Sequence, residues 1–110
     1  MATRLLPPLP PTTPELLSPD AHPYFLWWSD VTVQGLHALL RSDDPDERAY
    51  WLGAVMREAN TRDVWLFTSP ARIRALWPRL LRHLGHSRAM WAWLLQAGDE
   101  AWPPKEVRGA

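Results

Sequence analysis

Residues 43–65, DDPDERAYWLGAVMREANTRDVW, carry the clearest helix signal in the chain. Asp44 suits the N-cap position, and Pro45 suits the first helical position because its φ is fixed and it lacks an N–H. Glu47 stands where a capping-box side chain reaches back to the cap. Apolar residues then recur at helical spacing at Ala49, Leu52, Val55, Met56 and Ala59. The pattern predicts a central helix whose apolar stripe other helices must cover.

The segments on either side of this helix carry shorter helix patterns. An apolar face at helical spacing predicts a helix from about Val31 or Val33 to Arg41. Ser69 and Pro70 repeat the combination of a cap and a proline, and they predict the start of another helix. Pro78 lies inside that helix pattern and should kink or split it near Trp77, because proline removes a backbone donor and clashes with the preceding turn.

A last helix is predicted from Ser87, as its cap, to about Ala97, with Gly98 as its stop. The residues expected to point inward from it are Met90, Trp91, Leu94 and Leu95. No stretch of the chain shows sustained alternation of apolar and polar residues, which a half-buried strand would require. We therefore expect an all-α fold, a compact bundle of four to five short helices with a Pro-rich N-terminal arm.

Proline content divides the chain into an arm and a domain. Residues 1–23 hold seven of the twelve prolines, so they cannot form an uninterrupted helix or a central strand. The arm is expected either to bind an aromatic groove of a partner in a polyproline II conformation or to lie along its own domain. The helical domain is expected over 24–98, followed by a flexible tail over 99–110.

Composition limits the class of protein. The chain has 110 residues, a formal net charge of zero and no cysteine, which indicates one domain without disulfides or thiolate metal sites. No apolar run approaches the roughly 20 residues that a membrane-spanning helix needs. The N-terminus lacks the continuous apolar core of a secretory signal. We expect a cytoplasmic protein that makes no contact with a membrane.

No catalytic motif stands out. The chain lacks a Gly-rich phosphate loop, a G-x-S-x-G elbow and an H-E-x-x-H motif. His83 and His86 have a metal-like spacing, but Gly85 between them is expected to end the helix, and no third ligand is near in sequence. The expectation is a protein that is not an enzyme and that has no catalytic residue, cofactor or metal.

Charge is sorted along the chain. Residues 15–63 hold nine acidic residues and four arginines, whereas residues 64–98 hold five arginines and no acid. The arginines could form a surface for nucleic acid or for an acidic partner, or only the solvated face of helices. They are Arg72, Arg74, Arg79, Arg82 and Arg88. Four acids crowd the start of the central helix and could bind a basic partner: Asp43, Asp44, Asp46 and Glu47.

Eight tryptophans in 110 residues are the strongest compositional outlier. Neighbouring tryptophans at 27 and 28, and tryptophans two apart at 91 and 93, point in divergent directions, so both members of a pair cannot easily enter one core. Exposed tryptophans are typical anchors of protein interfaces, and the alternative is that the Pro-rich arm folds back and covers them. The tryptophans predicted to bind a partner are Trp27, Trp28, Trp51 and Trp93.

Four motifs follow one another along the chain: YFLW at 24–27, ERAYW at 47–51, MREA at 56–59 and DVW at 63–65. In this order they resemble a group of short uncharacterised bacterial helical proteins that accompany AbiE-type nucleotidyltransferase toxins. The resemblance covers roughly residues 24–95. It implies a small helical antitoxin or accessory protein that has no catalysis of its own.

Three functional hypotheses follow from these patterns. The first is a non-catalytic helical protein-interaction module, most concretely an antitoxin or accessory partner of a nucleotidyltransferase-type toxin. The alternative is a small nucleic-acid-binding regulator that uses the arginines of residues 72–88. The third is a homo-oligomer that acts as a structural subunit.

Overall fold

The computed structural model describes residues 10–96, and within them the chain forms six α-helices and three 3₁₀ turns but no strand. The helices are α1 (Val33–Leu39), α2 (Pro45–Glu58), α3 (Thr61–Val64), α4 (Pro70–Ala75), α5 (Trp77–Leu80) and α6 (Arg88–Leu95). The 3₁₀ turns are Pro14–Leu17, Leu81–His83 and Gly85–Ser87. The predicted all-α fold is confirmed. None of these helices has the length and apolar character needed to cross a membrane.

Several predictions fall on residues that the structure does not describe. These are the first nine residues of the arm, the end of the last helix at Ala97, its stop at Gly98 and the tail over 99–110.

The start of α2 follows the sequence signal in part. Asp44 Oδ1 accepts a hydrogen bond from the backbone N–H of Asp46 at 2.9 Å, and Pro45 is the first helical residue. The capping box does not form, because the N–H of Asp44 already donates to Ser42 Oγ at 3.1 Å. The predicted N-cap is therefore confirmed, and the predicted role of Glu47 in a capping box is wrong.

α2 is the central element of the fold. It contacts α1, α3, α5 and the two later 3₁₀ turns. Its predicted stripe is buried or partly buried, and so are Gly53 and Ala54, which lie outside the stripe. Neighbouring elements therefore cover α2 on more than one side, and the helix is more deeply buried than its amphipathic pattern indicates.

Proline decides where α4 ends and α5 begins. Ser69 Oγ accepts a hydrogen bond from the N–H of Arg72 at 3.3 Å and caps α4. Pro78 occupies the first turn of α5, and the helix pattern is divided at Leu76, which separates α4 from α5. The predicted split is confirmed.

The entry into α6 differs from the prediction. Ser87 Oγ donates to the carbonyl of Leu84 at 2.6 Å and does not cap the helix. The reason is that Ser87 ends a 3₁₀ turn and already has a helical backbone, whereas an N-cap residue needs an extended one. At the other end, Gln96 adopts the left-handed conformation with φ 52° and closes α6.

Two buried tryptophans offer a matched test of one hydrogen bond. Trp91 Nε1 donates to the carbonyl of Met56 at 3.0 Å, in the last turn of α2, where carbonyls have no partner further along the helix. Trp77 Nε1 is also buried, but it has no hydrogen-bond partner within residues 10–96. Trp91 also meets the Trp65 ring edge to face at 5.7 Å. Phenylalanine keeps an aromatic ring at position 91, so the substitution tests chiefly the hydrogen bond.

We expect Trp91→Phe to lower the free energy of unfolding by about 1 kcal/mol more than Trp77→Phe does, since only Trp91→Phe leaves a buried carbonyl unpaired. Urea unfolding of the two variants measures the difference. Equal losses in both variants would contradict the assignment of this bond.

Candidate functional site

Helix α6 separates its two tryptophans. Trp91 is fully buried, whereas Trp93 is 76% exposed. Residues two apart lie about 200° apart around an α-helix, so they cannot share one face. The prediction that these two tryptophans diverge is confirmed, and Trp93 is the most exposed of the large apolar side chains in the described part of the chain.

Two other apolar residues accompany Trp93 on the solvent side of α6. Met90 and Leu94 are each 39% exposed, and they lie three residues before and one residue after Trp93. The prediction that Met90 and Leu94 point inward is wrong, because the buried arc of the helix is set by Trp91, Ala92 and Leu95. We call Met90, Trp93 and Leu94 the outer face of α6.

The neighbouring tryptophans 27 and 28 also differ in their exposure to solvent. Trp27 is 73% exposed, while Trp28 is partly buried and packs against the core. Their rings meet edge to face with centroids 5.3 Å apart. The guanidinium of Arg57 lies 5.9 Å from the centre of the Trp28 ring, within the range of a cation–π contact. Trp28 therefore supports the fold, and Trp27 is the member available to a partner.

Trp51, like Trp28, is less accessible than Trp27 and Trp93. It lies on α2, is partly buried and packs against the hydrophobic core. The ring of the neighbouring Tyr50 meets it edge to face at 5.1 Å. Its position makes Trp51 a contributor to the core of the domain.

The acidic group at the start of α2 is exposed. Asp43, Asp44, Asp46 and Glu47 all reach solvent. Asp44 serves as the N-cap, and Asp46 Oδ1 accepts from Arg79 Nη1 at 2.8 Å in an exposed salt bridge. This bridge joins the acid-rich and the acid-free halves of the chain. Asp43 and Glu47 have no ion pair or hydrogen bond through their side chains within residues 10–96.

The five arginines of residues 72–88 are placed in different surroundings. Arg74 Nη2 donates to the carbonyl of Leu95 at 2.8 Å and thereby satisfies the end of α6. Arg79 pairs with Asp46. Arg72 lines a cavity beside α2, Arg82 is exposed, and Arg88 is partly buried. The nucleic-acid hypothesis stays a prediction.

Asp63 is a buried carboxylate that the sequence patterns did not single out. It is fully buried, and its oxygens accept hydrogen bonds from Thr12 N at 2.7 Å, Thr12 Oγ1 at 2.5 Å and Tyr24 Oη at 2.7 Å. Burial works against its ionisation, but the hydrogen bonds from Thr12 and Tyr24 outweigh this effect and hold the pKa of Asp63 below its ordinary value. Thr12 and Tyr24 lie 51 and 39 residues before Asp63 in the chain. No local sequence pattern can therefore predict these hydrogen bonds.

The same hydrogen bonds affect Tyr24. Burial, followed by the hydrogen bond to Asp63, raises the pKa of the Tyr24 phenol above its ordinary value. The Tyr24 oxygen also accepts from the N–H of Asn60 at 2.9 Å. Tyr24 thus joins the N-terminal segment to the turn that follows α2.

The described part of the arm lies on its own domain. Arg62 Nε donates to the carbonyl of Pro10 at 2.6 Å, next to the Thr12–Asp63 contact. Leu16, in the first 3₁₀ turn, is buried in the core. Of the two roles predicted for the arm, the structure shows the intramolecular one for residues 10–23.

The histidines do not gather around a common point that could hold a metal. His83 packs edge to face on Tyr50 at 5.7 Å, and burial, with the charges of Arg82 and Arg57, lowers its pKa. Across residues 10–96 no group of three His, Cys, Asp or Glu residues could hold a metal ion.

Comparison of the chain with protein-family models, with curated proteins and with solved structures gives no match.

Proposed function

We propose that the chain is a non-catalytic, cytoplasmic protein-interaction domain and that the outer face of α6 is its main contact surface. The observation that carries this proposal is the exposure of Trp93 between Met90 and Leu94. A tryptophan that enters a partner's pocket buries roughly 200 Å², more than other side chains offer. Tryptophan is also enriched among the residues that dominate binding energy at interfaces.

The partner proposed is a protein with a basic surface, most concretely a nucleotidyltransferase-type toxin. The resemblance of the YFLW, ERAYW, MREA and DVW motifs to companions of such toxins supports this choice. The exposed acids at the start of α2 supply the complementary charge, above all Asp43 and Glu47, whose side chains are not engaged within residues 10–96. Complementary charges of this kind speed association and select the partner.

The test is co-expression with a nucleotidyltransferase-type toxin encoded beside this chain, followed by size-exclusion chromatography and a growth assay. We expect co-elution and relief of toxicity. Trp93→Ala should weaken the complex by roughly thirtyfold, which corresponds to the loss of one hot-spot residue. The stability of the free domain should change by less than about 0.5 kcal/mol, because Trp93 is exposed.

Trp27→Ala is the matched comparison, since Trp27 is about equally exposed on another segment. Loss of binding in Trp93→Ala alone supports the outer face of α6 as the contact. Loss in Trp27→Ala alone would move the contact to residues 27–28. Absence of co-elution and of any relief of toxicity would reject the partner, and a steep salt dependence of binding to duplex DNA or RNA would favour the nucleic-acid alternative instead.

A further inference from the structure

A cavity of about 400 Å³ lies between α2, the residues just after α1, and α4 with the residues on either side of it. Three arginines line it, Arg41, Arg48 and Arg72, and none of its lining residues is acidic. Its apolar lining includes the partly buried Leu40 and Leu76 together with the buried Leu52 and Phe67. Its size falls within the range of about 300–1,000 Å³ that is typical of sites for small molecules.

Within residues 10–96 no carboxylate forms a salt bridge with the arginines of this cavity. Arg48 Nη1 donates to the carbonyl of Ser42 at 2.6 Å, which satisfies one of its donors without cancelling its charge. The side chains of Arg41 and Arg72 have no salt bridge or hydrogen bond within residues 10–96. By contrast, Arg57 and Arg79 of the same domain each pair with a carboxylate.

Arg41 takes part in two neighbouring cavities. Arg41 also lines a second cavity, of about 440 Å³, together with His37. Burial, and after it the charge of Arg41, lowers the pKa of His37. The ring of His37 packs at 4.8 Å on Phe67, the same aromatic residue that lines the first cavity.

These features select the chemistry of a ligand. Guanidinium groups bind carboxylates and phosphates through paired hydrogen bonds, and three uncompensated cations match a dianion better than a monoanion. A phosphomonoester is largely a dianion above its second pKa of about 6. The accessible parts of Leu40 and Leu76 would remain wet beside a bare phosphate, so an apolar group attached to the phosphate adds buried area.

We propose that this cavity binds a small phosphomonoester with an aromatic or aliphatic body, with the phosphate held by Arg41, Arg48 and Arg72 and the body packed on Leu40 and Leu76. The site is independent of the outer face of α6, and its test does not depend on the proposed function.

The test is isothermal titration of the full-length chain at pH 8 and low salt with four compounds: phenyl phosphate, inorganic phosphate, benzoate and benzyl alcohol. We expect phenyl phosphate to bind most tightly and benzyl alcohol not to bind. Arg41→Ala and Arg72→Ala should each weaken the binding of phenyl phosphate by about tenfold or more, the effect of losing a charged hydrogen-bonding partner.

Arg82→Ala is the matched control, because Arg82 is exposed and does not line the cavity. It removes the same charge and should leave the binding of phenyl phosphate unchanged. Thermal unfolding of all three variants shows whether the domain remains folded, and substitution of exposed arginines should keep it so.

Three results would overturn the proposal. One is no saturable binding of phenyl phosphate at concentrations of several millimolar. The second is an equal loss of binding in Arg82→Ala and in the two cavity variants, which would indicate a general effect of charge. The third is binding of inorganic phosphate as tight as that of phenyl phosphate, which would show that the apolar surface takes no part.

Discussion

Asp63→Ala is expected to lower the free energy of unfolding by about 3 kcal/mol at pH 7, because three donors lose a charged acceptor in one substitution. The donors are the N–H and hydroxyl of Thr12 and the phenol of Tyr24. Since these bonds tie residues 10–24 to α3, the arm should also become accessible. Urea unfolding measures the first effect, and hydrogen exchange of the amides of residues 12–21 measures the second.

The same substitution has a defined dependence on pH. The pKa of Asp63 is depressed in the folded domain, so its contribution to stability is fully present above the ordinary value of 3.8 and is lost as the pH falls through the folded value. The stability difference between the parent chain and Asp63→Ala should therefore be constant from pH 5 to 7 and should narrow below 3.8. A difference that is the same at pH 3 and at pH 7 would contradict this assignment.

Asp30→Ala is the control for the loss of one acidic side chain. Asp30 is exposed and makes no hydrogen bond or ion pair through its side chain within residues 10–96. Its replacement should change the free energy of unfolding by less than about 0.5 kcal/mol. A loss in Asp30→Ala comparable to that in Asp63→Ala would show that net charge, and not the buried contacts, explains the result.

Gly53→Ala is expected to destabilise the domain by about 2 kcal/mol, although alanine is the better helix former. A Cβ at position 53 would lie 2.4 Å from the Cβ of His83 and 3.3 Å from its Cγ. The Cβ of His83 is attached to the backbone, so relief requires α2 and the Leu81–His83 turn to move apart. That movement costs more than the gain of about 1 kcal/mol in helix propensity.

Gly35→Ala is the matched comparison for Gly53→Ala. A Cβ at position 35 in α1 meets Thr32 Oγ1 and Val31 Cγ1 at 3.4 Å, which is close to ordinary contact distance. Helix propensity then dominates, and we expect Gly35→Ala to leave stability unchanged or to raise it by up to about 1 kcal/mol. Thermal or urea unfolding of both variants gives the comparison. A loss of stability in Gly35→Ala equal to that in Gly53→Ala would contradict the close approach of α2 and His83.

The errors made from sequence cluster in α6. The apolar residues of this helix outnumber the positions that one buried face can hold, so its composition alone could not show which of them point to solvent. Met90 and Leu94 were expected inside, yet Trp91, Ala92 and Leu95 occupy the inner arc. Ser87 failed as a cap because its backbone conformation is set by the preceding 3₁₀ turn, which the sequence pattern did not reveal.

The exposed tryptophans could be predicted from the sequence, and the arginine-lined cavity could not. Side chains at positions 27 and 28, or at 91 and 93, point in different directions along the chain. The sequence therefore predicts that one tryptophan of each pair is exposed. The cavity of Arg41, Arg48 and Arg72 could not be predicted, because these residues come from three separate segments and share no spacing. The antitoxin-like function and the choice of partner rest on motif resemblance and stay proposals.

The sequence by itself determined the local features of this protein: the all-α class, the start of α2 at Asp44 and Pro45, and the break at Pro78. These features depend on backbone chemistry within a few residues, where a cap or a proline acts whatever the surroundings. Only the tertiary structure decided that Thr12 and Tyr24 meet Asp63 and that Gly53 meets His83. Such contacts join residues up to 51 positions apart, and their strength comes from burial, which no local pattern encodes.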